Sequence, residues 1–179
     1  MPSNGVRLPV TIRQIPERLH DMPVAPELTL DLVYRPYSVA DKASCLKLFN
    51  GNVPAYFAQS EGSEFEQFLD DCPGTWSYDV IVRSDFIVAC GGYALDAHGT
   101  TASLCWGMVD NALHGTGLGR LLTMARLDAV RAMAGVRQVR IDTSQHTEGF
   151  YASLGFELNA IMINGYGPGL DRWDMTLRV

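Results

Sequence analysis

The chain has 179 residues, a formal net charge of −6, 47% hydrophobic residues and 19% charged residues. This length suffices for one domain with its own buried core, so the fold need not depend on a disulfide or a metal. The composition excludes a disordered or repetitive chain. The acidic balance argues against a protein that binds nucleic acid by neutralising phosphates, because the sequence contains no lysine-rich stripe. An anionic ligand would therefore have to be held by a local motif.

The four cysteines lie too far apart in sequence to form a recognisable metal or redox motif. Cys45, Cys72, Cys90 and Cys105 are separated by 27, 18 and 15 residues, whereas zinc and redox motifs use close pairs. We therefore expect reduced, mostly buried thiols and no bound metal, as is usual in cytoplasmic proteins. No run approaches the roughly 18 uncharged apolar residues of a membrane span, and no signal peptide is recognisable. The sequence thus predicts a cytoplasmic protein without a membrane partner.

The first 30 residues differ from the rest of the chain, because prolines interrupt every candidate helix or strand. These prolines are Pro2, Pro9, Pro16, Pro23 and Pro26. We interpret residues 1–30 as a proline-rich N-terminal extension and residues 31–179 as the compact domain.

The compact domain is predicted to begin with a short strand that starts near Leu32 and ends at Pro36. Ser38, with Asp41 three residues later, resembles a helix N-cap, and apolar residues then recur at helical spacing. Asn50-Gly51 is expected to stop this helix. A second helix is expected to start after Ser63.

The middle of the chain is predicted to be an antiparallel meander. Three β-rich runs cover residues 78–83, 86–95 and 100–109, and Ser84-Asp85 is typical of a hairpin turn between the first two. Gly91-Gly92 and Gly107 interrupt the second and third runs, which indicates bulges or a close backbone approach.

A long amphipathic helix follows the meander and carries the strongest periodic signal. Its apolar stripe, without a polar exception, consists of Leu118, Leu121, Leu122, Ala125, Ala129, Ala132 and Met133. Gly135 is placed to end it. Beyond it we expect a strand at 136–143, a short helix at 147–154 and two strands at 156–163 and 172–179. A meander followed by a crossover predicts an α/β fold with a mixed sheet and helices on its faces.

Three alternating glycines, Gly115, Gly117 and Gly119, stand where the long helix begins. They keep side chains away from the unpaired amides of a helix start, and this arrangement suits a phosphate-type anion. Arg120 can add a charge to the same ligand. The alternative is a tight turn that lets helix and sheet pack closely. The spacing does not match the dinucleotide fingerprint, and a P-loop would require Lys-Ser or Lys-Thr after the last glycine.

Two motifs together resemble the Gcn5-related N-acetyltransferase (GNAT) superfamily. The pattern His114-x-x-Gly117-x-Gly119 looks like its acyl-CoA pyrophosphate loop, usually written Gln/Arg-x-x-Gly-x-Gly/Ala. The run from Phe150 to Phe156 is similar to its second signature, a short helix ending in Gly-Phe. The motifs stand in the family's order, and the resemblance extends over residues 31–179.

The resemblance implies a GNAT-like fold, in which a mostly antiparallel central sheet contains a splayed parallel strand pair, with helices on both faces. Acetyl-CoA would be the co-substrate, with its arm bonded to the backbone of Met108 and Val109. The residues around its pyrophosphate would be His114, Gly115, Thr116, Gly117, Leu118, Gly119 and Arg120. Gly107 would mark a bulge that promotes the splay, and Ser144 would be a further cofactor contact. Tyr151 matches the tyrosine that protonates the leaving thiolate.

The implied activity is N-acetylation of a primary amine on a small molecule or a peptide, by direct transfer from acetyl-CoA. Tyr56, Phe57 and Tyr166 lie in the segments that commonly select the acceptor, and a homodimer is possible in this family. A non-catalytic acyl-CoA-binding or regulatory domain is the alternative, because the sequence contains no unambiguous general base. The weak candidates for the base are Asp110, Asp142, His146 and Glu148.

Cys105 and a cluster of acidic residues each allow two interpretations. Cys105 could support a ping-pong route through an acyl-enzyme, although a core cysteine and direct transfer are the simpler expectation. An acidic cluster could attract a cationic amine, or it could be the solvated face of a helix. Its members are Glu61, Glu64, Glu66, Asp70 and Asp71.

Overall fold

The computed structural model of the protein describes residues 32–73 and 76–179, so the predicted extension over residues 1–30 lies outside the described residues. The strands are β1 (Leu32–Pro36), β2 (Ser77–Arg83), β3 (Phe86–Leu95), β4 (Thr101–Val109), β5 (Gln138–Thr143), β6 (Glu157–Gly167) and β7 (Leu170–Arg178). The α-helices are α1 (Lys42–Asn52), α2 (Gly62–Asp71), α3 (Leu118–Arg131) and α4 (Glu148–Ala152).

The strands form one seven-stranded sheet in the order β1-β2-β3-β4-β5-β7-β6. Neighbouring strands are antiparallel except for β4 and β5, which are parallel and connected through α3. The predicted mixed sheet, a meander extended by one crossover, is therefore confirmed. The hairpin between β2 and β3 is also as predicted. Ser84 and Asp85 have φ values of 45° and 67°, the left-handed pair that a two-residue turn of type I′ requires.

Helices cover both faces of the sheet. Consecutive residues of a strand point to opposite faces, and Cys90 and Met108 contact α1 and α2 whereas Ala89 and Val109 contact α3. The α1–α2 side is rich in aromatic rings, with Phe49, Phe57, Phe65, Phe68 and Trp106 in mutual contact. In the described part of the chain, no helix is long and apolar enough to cross a membrane.

The first helix ends later than predicted. It continues through Asn50-Gly51 to Asn52, because Gly51 does not take the left-handed conformation with which a glycine ends a helix. The helix stops at Asn52 because Val53 precedes Pro54, and a residue before proline disfavours the helical region.

The expected loop between the last two strands is largely paired. β6 extends to Gly167, which pairs with Leu170, so the turn is confined to Pro168 and Gly169. Tyr166 therefore lies on a strand and not in a loop. Between Met162 and Gly167, β6 has more residues than the part of β7 it faces. The additional residues form a bulge, in which Asn164 has a φ of 55°.

The apolar stripe of α3 is only partly as predicted. Its first four members are buried, but the helix ends at Arg131, and Ala132 is exposed. The buried face is wider than one stripe, because α3 packs against β3 and β4 and also against the core near α4. This face also includes Thr123, Arg126, Leu127 and Val130, which lie outside the predicted stripe, and two of these four residues are polar.

An ion pair links β1 to the start of α1. The two terminal guanidinium nitrogens of Arg35 donate to the buried carboxylate of Asp41, at 2.7 and 2.8 Å. Asp41 also accepts hydrogen bonds from the backbone and hydroxyl of Ser38, as expected for a helix cap. Burial raises the pKa of Asp41, but the bonds from Arg35 and Ser38 outweigh it, and the pKa lies below its ordinary value.

The two edges of the sheet are β1 and the long strand β6, and β6 is the more apolar of the exposed edges. Large apolar side chains are exposed along it, at Leu158, Ile161, Met162 and Ile163. No charged residue occurs between Glu157 and Asp171. This edge therefore lacks the lysines and inward-pointing charges that usually protect a free edge strand.

Candidate functional site

The two parallel strands pair with each other at one end only and then separate. Only Thr101–Ser103 of β4 pair with Gln138–Arg140 of β5, and the strands then diverge over residues 104–109 and 141–143. The splayed parallel pair implied by the resemblance is confirmed. The gap opens where the strands end and where α3 begins, so main-chain groups of both strands flank it.

A bulge in β4 lies beside this gap. Cys90 pairs with Met108 and Gly92 with Cys105, so Trp106 and Gly107 together oppose Gly91 alone. Trp106 has a φ of 44°, a strained value for a bulky residue. A bulge of this kind bends its strand, which accounts for the direction in which β4 leaves β5.

A cleft of about 840 Å³ occupies the gap and extends over both faces of the sheet. It brings together most of the residues predicted for the site, from β4, the start of α3, α4 and the acceptor segments. The predicted residues that line it are Tyr56, Phe57, Met108, Val109, His114, Gly115, Gly117, Gly119, Arg120, Ser144, Tyr151 and Tyr166.

The glycine-rich segment forms the helix start at one end of the cleft. Gly117 is the N-cap of α3 with a φ of 94°, and Gly115 has a φ of 77°, values that favour glycine at both positions. The amides of the first helical turn have no carbonyl partner within the helix, and the helix dipole adds positive character there. Arg120 is exposed beside them. This set of donors fits a pyrophosphate.

Thr116 and Leu118 do not line the cleft. The Thr116 hydroxyl donates to the Leu113 carbonyl at 2.7 Å, which turns the side chain toward its own loop. The side chain of Leu118 is fully buried in the core, so this residue can offer only its backbone amide.

His114 lies at the mouth of the cleft and contacts Tyr56, with the two ring centroids 5.0 Å apart. Its Nε2 is 3.1 Å from the carbonyl oxygen of Val109. The same carbonyl oxygen accepts a hydrogen bond of 2.9 Å from the side-chain amide nitrogen of Asn52. Asn52 is buried at the end of α1 and lines the cleft, a role that no motif in the sequence indicated.

Tyr151 lies on α4, where it packs edge-on against Phe150 and Phe156. Burial raises the pKa of its phenol, and the neighbouring Arg126 guanidinium opposes this rise through a side-chain hydrogen bond and its charge. The phenol is therefore protonated at neutral pH and can act as a proton donor.

Arg126 lies beneath the bulge and was not predicted as a site residue. Its side chain is 1% exposed and lines the cleft together with Thr123. Arg126 continues the row of Leu118 and Leu122 at a spacing of four residues, so its place on the buried face of α3 could have been found from the sequence. The signal in the sequence was an arginine at a helical position where the two preceding turns place buried leucines.

Carboxylates line the cleft on the side of the acceptor segments. Glu61, Glu64 and Asp142 face it, and Asp142 accepts a hydrogen bond of 3.0 Å from the Tyr166 hydroxyl. Burial raises the pKa of Glu61, and the charges of Glu64 and Asp142 raise it further, although a bond from the Ala58 amide lowers it. These three residues are called the acidic lip below.

The other acidic candidates lie elsewhere. Glu66 and Asp70 pair with Lys42 at 3.1 and 2.8 Å, and Asp71 accepts a bond from Gln67. Asp110 accepts a bond from the Ala112 amide. His146 lines the cleft, whereas the side chain of Glu148 does not.

Cys105 lines the cleft beside the bulge. Burial raises the pKa of its thiol to about 12, although the charge of Arg126 opposes the rise. The thiolate is the reactive form, so this cysteine is a poor nucleophile at neutral pH. Within residues 32–73 and 76–179, no three His, Cys, Asp or Glu side chains are grouped so that they could hold a metal ion.

Comparison with solved structures identifies relatives in fold. A protein from Desulfovibrio desulfuricans assigned to the GNAT acetyltransferases is 21% identical, with a TM-score of 0.70 over 82% of this chain and 98% of that chain. The ribosomal-protein-S18-alanine N-acetyltransferase of Escherichia coli is 17% identical, with a TM-score of 0.68 over 83% and 94%. Salmonella typhimurium yncA, solved with its cofactor acetyl-CoA, is 19% identical, with a TM-score of 0.66 over 83% and 94%.

At these identities the likeness concerns the fold alone. No match was found among curated proteins. Residues 78–178, more than half of the chain, match the family model of the acetyltransferase (GNAT) domain. This range includes the bulge, the glycine-rich helix start and Tyr151. The chain therefore belongs to the GNAT family of acetyltransferases.

Proposed function

We propose that the protein is an acetyl-CoA-dependent N-acetyltransferase that acetylates a primary amine of a small molecule or a peptide by direct transfer. The observation that carries this proposal is the continuous cleft between β4 and β5. It leads from the glycine-rich start of α3 to the buried phenol of Tyr151 and on to the acidic lip. One cleft thus contains an anion-binding end, a proton donor and a cation-attracting mouth.

Acetyl-CoA would lie along the gap with its pyrophosphate on the amides of residues 117–120 and beside Arg120. Its arm would pass between the diverging strands at Met108 and Val109, beyond Ser103, the last residue of β4 that pairs with β5. Ser144, which is buried and lines the opposite wall, would contact it from the β5 side. The bound substrate supplies a thioester, whose carbonyl carbon is the reacting atom.

The acceptor would enter past the acidic lip. Glu61 and Asp142 favour a cationic amine, and the aromatic rings of Tyr56, Phe57 and Tyr166 form a wall around it. We assign Glu61 as the general base. It is half-buried, and its raised pKa brings the carboxylate closer to the basicity needed to accept a proton from an ammonium group.

Direct transfer is supported by the state of the nearby side chains. Burial raises the pKa of Cys105 to about 12, so its thiol is neutral at pH 7 and is a poor nucleophile for an acyl-enzyme route. Tyr151 is protonated and adjacent to the gap, so it can donate a proton to the departing sulfur. The amine nitrogen would therefore attack the thioester carbon itself.

The proposal is tested by combining binding and transfer measurements. Acetyl-CoA should raise the melting temperature, and a panel of primary amines and basic peptides should release free CoA thiol, detected with a thiol reagent. Tyr151→Phe should lower kcat by about 10²-fold with little change in acetyl-CoA affinity, a typical loss for one proton donor. Tyr37→Phe is the matched control, because Tyr37 is a buried tyrosine outside the cleft whose hydroxyl bonds to Leu69.

Two outcomes would contradict the proposal. The absence of any thermal shift at saturating acetyl-CoA would exclude acetyl-CoA as the co-substrate. Binding without transfer to any member of the panel would instead support a non-catalytic acyl-CoA-binding domain.

A homodimer formed through β6 completes the proposed function. Two copies of this edge strand, which contains no charged residue from Leu158 to Gly167, can pair antiparallel over that stretch without charge repulsion, which would cover Ile161 and Met162. Light scattering should give twice the chain mass for the wild type and the single-chain mass for Ile161→Lys. A monomeric wild type would refute the dimer and leave the transfer chemistry untouched.

A further inference from the structure

The core beneath the cleft contains a positive charge that no carboxylate neutralises. Among the described residues, Arg126 forms no ion pair, although its side chain is 1% exposed. Its Nε donates to the Leu122 carbonyl at 3.3 Å, and its two terminal nitrogens donate to the Gly92 carbonyl and the Thr123 hydroxyl at 3.5 and 3.1 Å. These partners are neutral. A buried cation is costly without a counter-charge, so a role for it in the cleft is expected.

Two glycines on neighbouring strands make room for this guanidinium. A Cβ on Gly107 would lie 2.8 and 2.9 Å from its terminal nitrogens, and a Cβ on Gly91 would lie 3.0 Å from one of them. The same Gly91 and Gly107 face each other at the bulge that separates β4 from β5. The bulge therefore serves two purposes, because it opens the gap and fixes the guanidinium at its inner end.

Arg126 and Tyr151 line the same cleft, and the guanidinium is near enough to act on the phenol through its charge and a side-chain hydrogen bond. The charged groups that act on this phenol are Arg126 from α3 and Asp142 from β5. Cys105 from β4 lines the same cleft, and Tyr93 from β3 belongs to the buried cluster of Tyr151. Asp142 is exposed and bonded to Tyr166, and the Cys105 thiol is neutral. Arg126 is thus the one cation of this described set.

We propose that Arg126 is a positioning residue for acetyl transfer: it holds the Tyr151 phenol at the gap and stabilises the phenolate that remains after Tyr151 has given up its proton. This inference rests on the proposed function. Arg126 acts through Tyr151 and need not touch the thioester. The three hydrogen bonds to neutral groups fix its orientation and leave its charge available for the transient anion.

The proposed step is balanced as follows. The amine nitrogen forms a bond to the acetyl carbonyl carbon, and the carbon–sulfur bond breaks with its electron pair remaining on sulfur. The Tyr151 proton passes to that sulfur, which leaves a phenolate beside the Arg126 guanidinium. The ammonium proton that Glu61 accepts before the attack passes to solvent. The second proton, which the nitrogen loses after its bond to carbon has formed, reaches the phenolate through solvent. The products are the N-acetylated amine and the free thiol of CoA.

The first test measures the Tyr151–Arg126 interaction without any transfer reaction. The full chain is produced with 3,5-difluorotyrosine, whose phenol titrates near neutral pH, and the Tyr151 fluorine resonance is assigned by its loss in Tyr151→Phe. In Arg126→Met this resonance should titrate at least about one pH unit higher than in the wild type, because the phenolate has lost its cation. Arg126→Lys should restore part of the difference. An unchanged titration in Arg126→Met would overturn the proposal.

The second test separates positioning from structural support. Arg126→Met should lower kcat about tenfold or more and change the KM for acetyl-CoA less than about twofold. In the Tyr151→Phe background the same substitution should cause no further loss of kcat. Arg126→Lys, which keeps the charge and the fold-stabilising contacts of the stem, should recover part of the activity. Independent, multiplicative losses in the double variant, or a loss confined to acetyl-CoA affinity, would refute the proposal.

Failure of the inference can be distinguished from failure of the proposed function. A shifted Tyr151 titration in a protein that acetylates no amine would contradict the enzymatic role and retain the Arg126–Tyr151 interaction. Normal transfer with an unshifted titration would contradict the inference and retain the enzyme.

Discussion

Substitution of Gly107 by alanine should force the buried guanidinium of Arg126 out of its position. The added Cβ would lie 2.8 and 2.9 Å from the two terminal nitrogens and 3.3 Å from the central carbon, closer than an ordinary van der Waals contact of at least 3.4 Å. The guanidinium cannot retreat freely, because its side chain is 1% exposed and already bonded to α3 and β3. The substitution therefore tests how firmly the bulge fixes Arg126.

The expected loss of stability follows from overpacking. Adding a methyl group to a filled core costs about 1–3 kcal/mol, and we expect about 2 kcal/mol here because the displaced group is charged. For a chain of this length each kcal/mol lowers the melting temperature by about 2–4 °C, so the predicted decrease is about 4–8 °C. Transfer activity should fall with it, because the guanidinium leaves the Tyr151 phenol.

The assay is a double-mutant cycle measured by urea unfolding. In the Arg126→Ala background the added methyl group meets a cavity in place of a guanidinium, so Gly107→Ala should cost less than about 0.5 kcal/mol there. The control is Gly51→Ala in α1, where a Cβ has no neighbour within 4 Å and helix propensity should raise stability by about 0.5–1 kcal/mol. An equal cost of Gly107→Ala with and without Arg126 would refute the reasoning.

Three further substitutions test other parts of the structure. Asp41→Asn should reduce the free energy of unfolding at pH 7 by about 2–4 kcal/mol. Because the folded-state pKa of Asp41 is lowered, the difference from the wild type in urea unfolding should shrink as the pH falls below about 4. Glu61→Gln should lower kcat/KM about 10–100-fold. It should also abolish the decrease of kcat/KM at acidic pH, whose midpoint in the wild type lies above the ordinary glutamate pKa of 4.5. An unchanged decrease at acidic pH would exclude Glu61 as the base. Arg120→Gln should raise the calorimetric Kd of CoA about 3–10-fold at low salt and less at high salt, because the exposed charge is screened; a salt-independent effect would argue against a phosphate contact.

Local signals were sufficient to predict most of the fold. The turn at Ser84-Asp85, the glycines of the bulge and the periodicity of α3 each reflect a constraint within a few residues, and all three lie where expected. The two family motifs then indicated which strands separate. The predicted ends of α1 and β6 differ from the observed ends. The end of α1 depends on Pro54, and the end of β6 depends on its pairing with β7.

The site was predictable where it is made of backbone or belongs to a family motif, as Tyr151 does. The glycine-rich helix start requires particular residue types at fixed spacing, so the sequence reveals it. The spacing of Arg126 from Leu118 and Leu122 indicates that it is buried, but not which group it contacts. Its partner Gly92 is 34 residues away, and Val109, the partner of Asn52, is 57 residues away. The acidic cluster predicted from the sequence is likewise split in the structure. Lys42 pairs with Glu66 and Asp70, whereas Glu61 faces the cleft.

The short pairing of β4 with β5 gives the sheet a seam. Three residue pairs join its two parts there, whereas β5 and β7 are joined by six. Amides beside the seam can therefore exchange with solvent through local opening, at a lower free energy than global unfolding requires. Hydrogen exchange along residues 104–109 and 141–143 would then report directly on whatever molecule bridges the seam, even before its chemical identity is known.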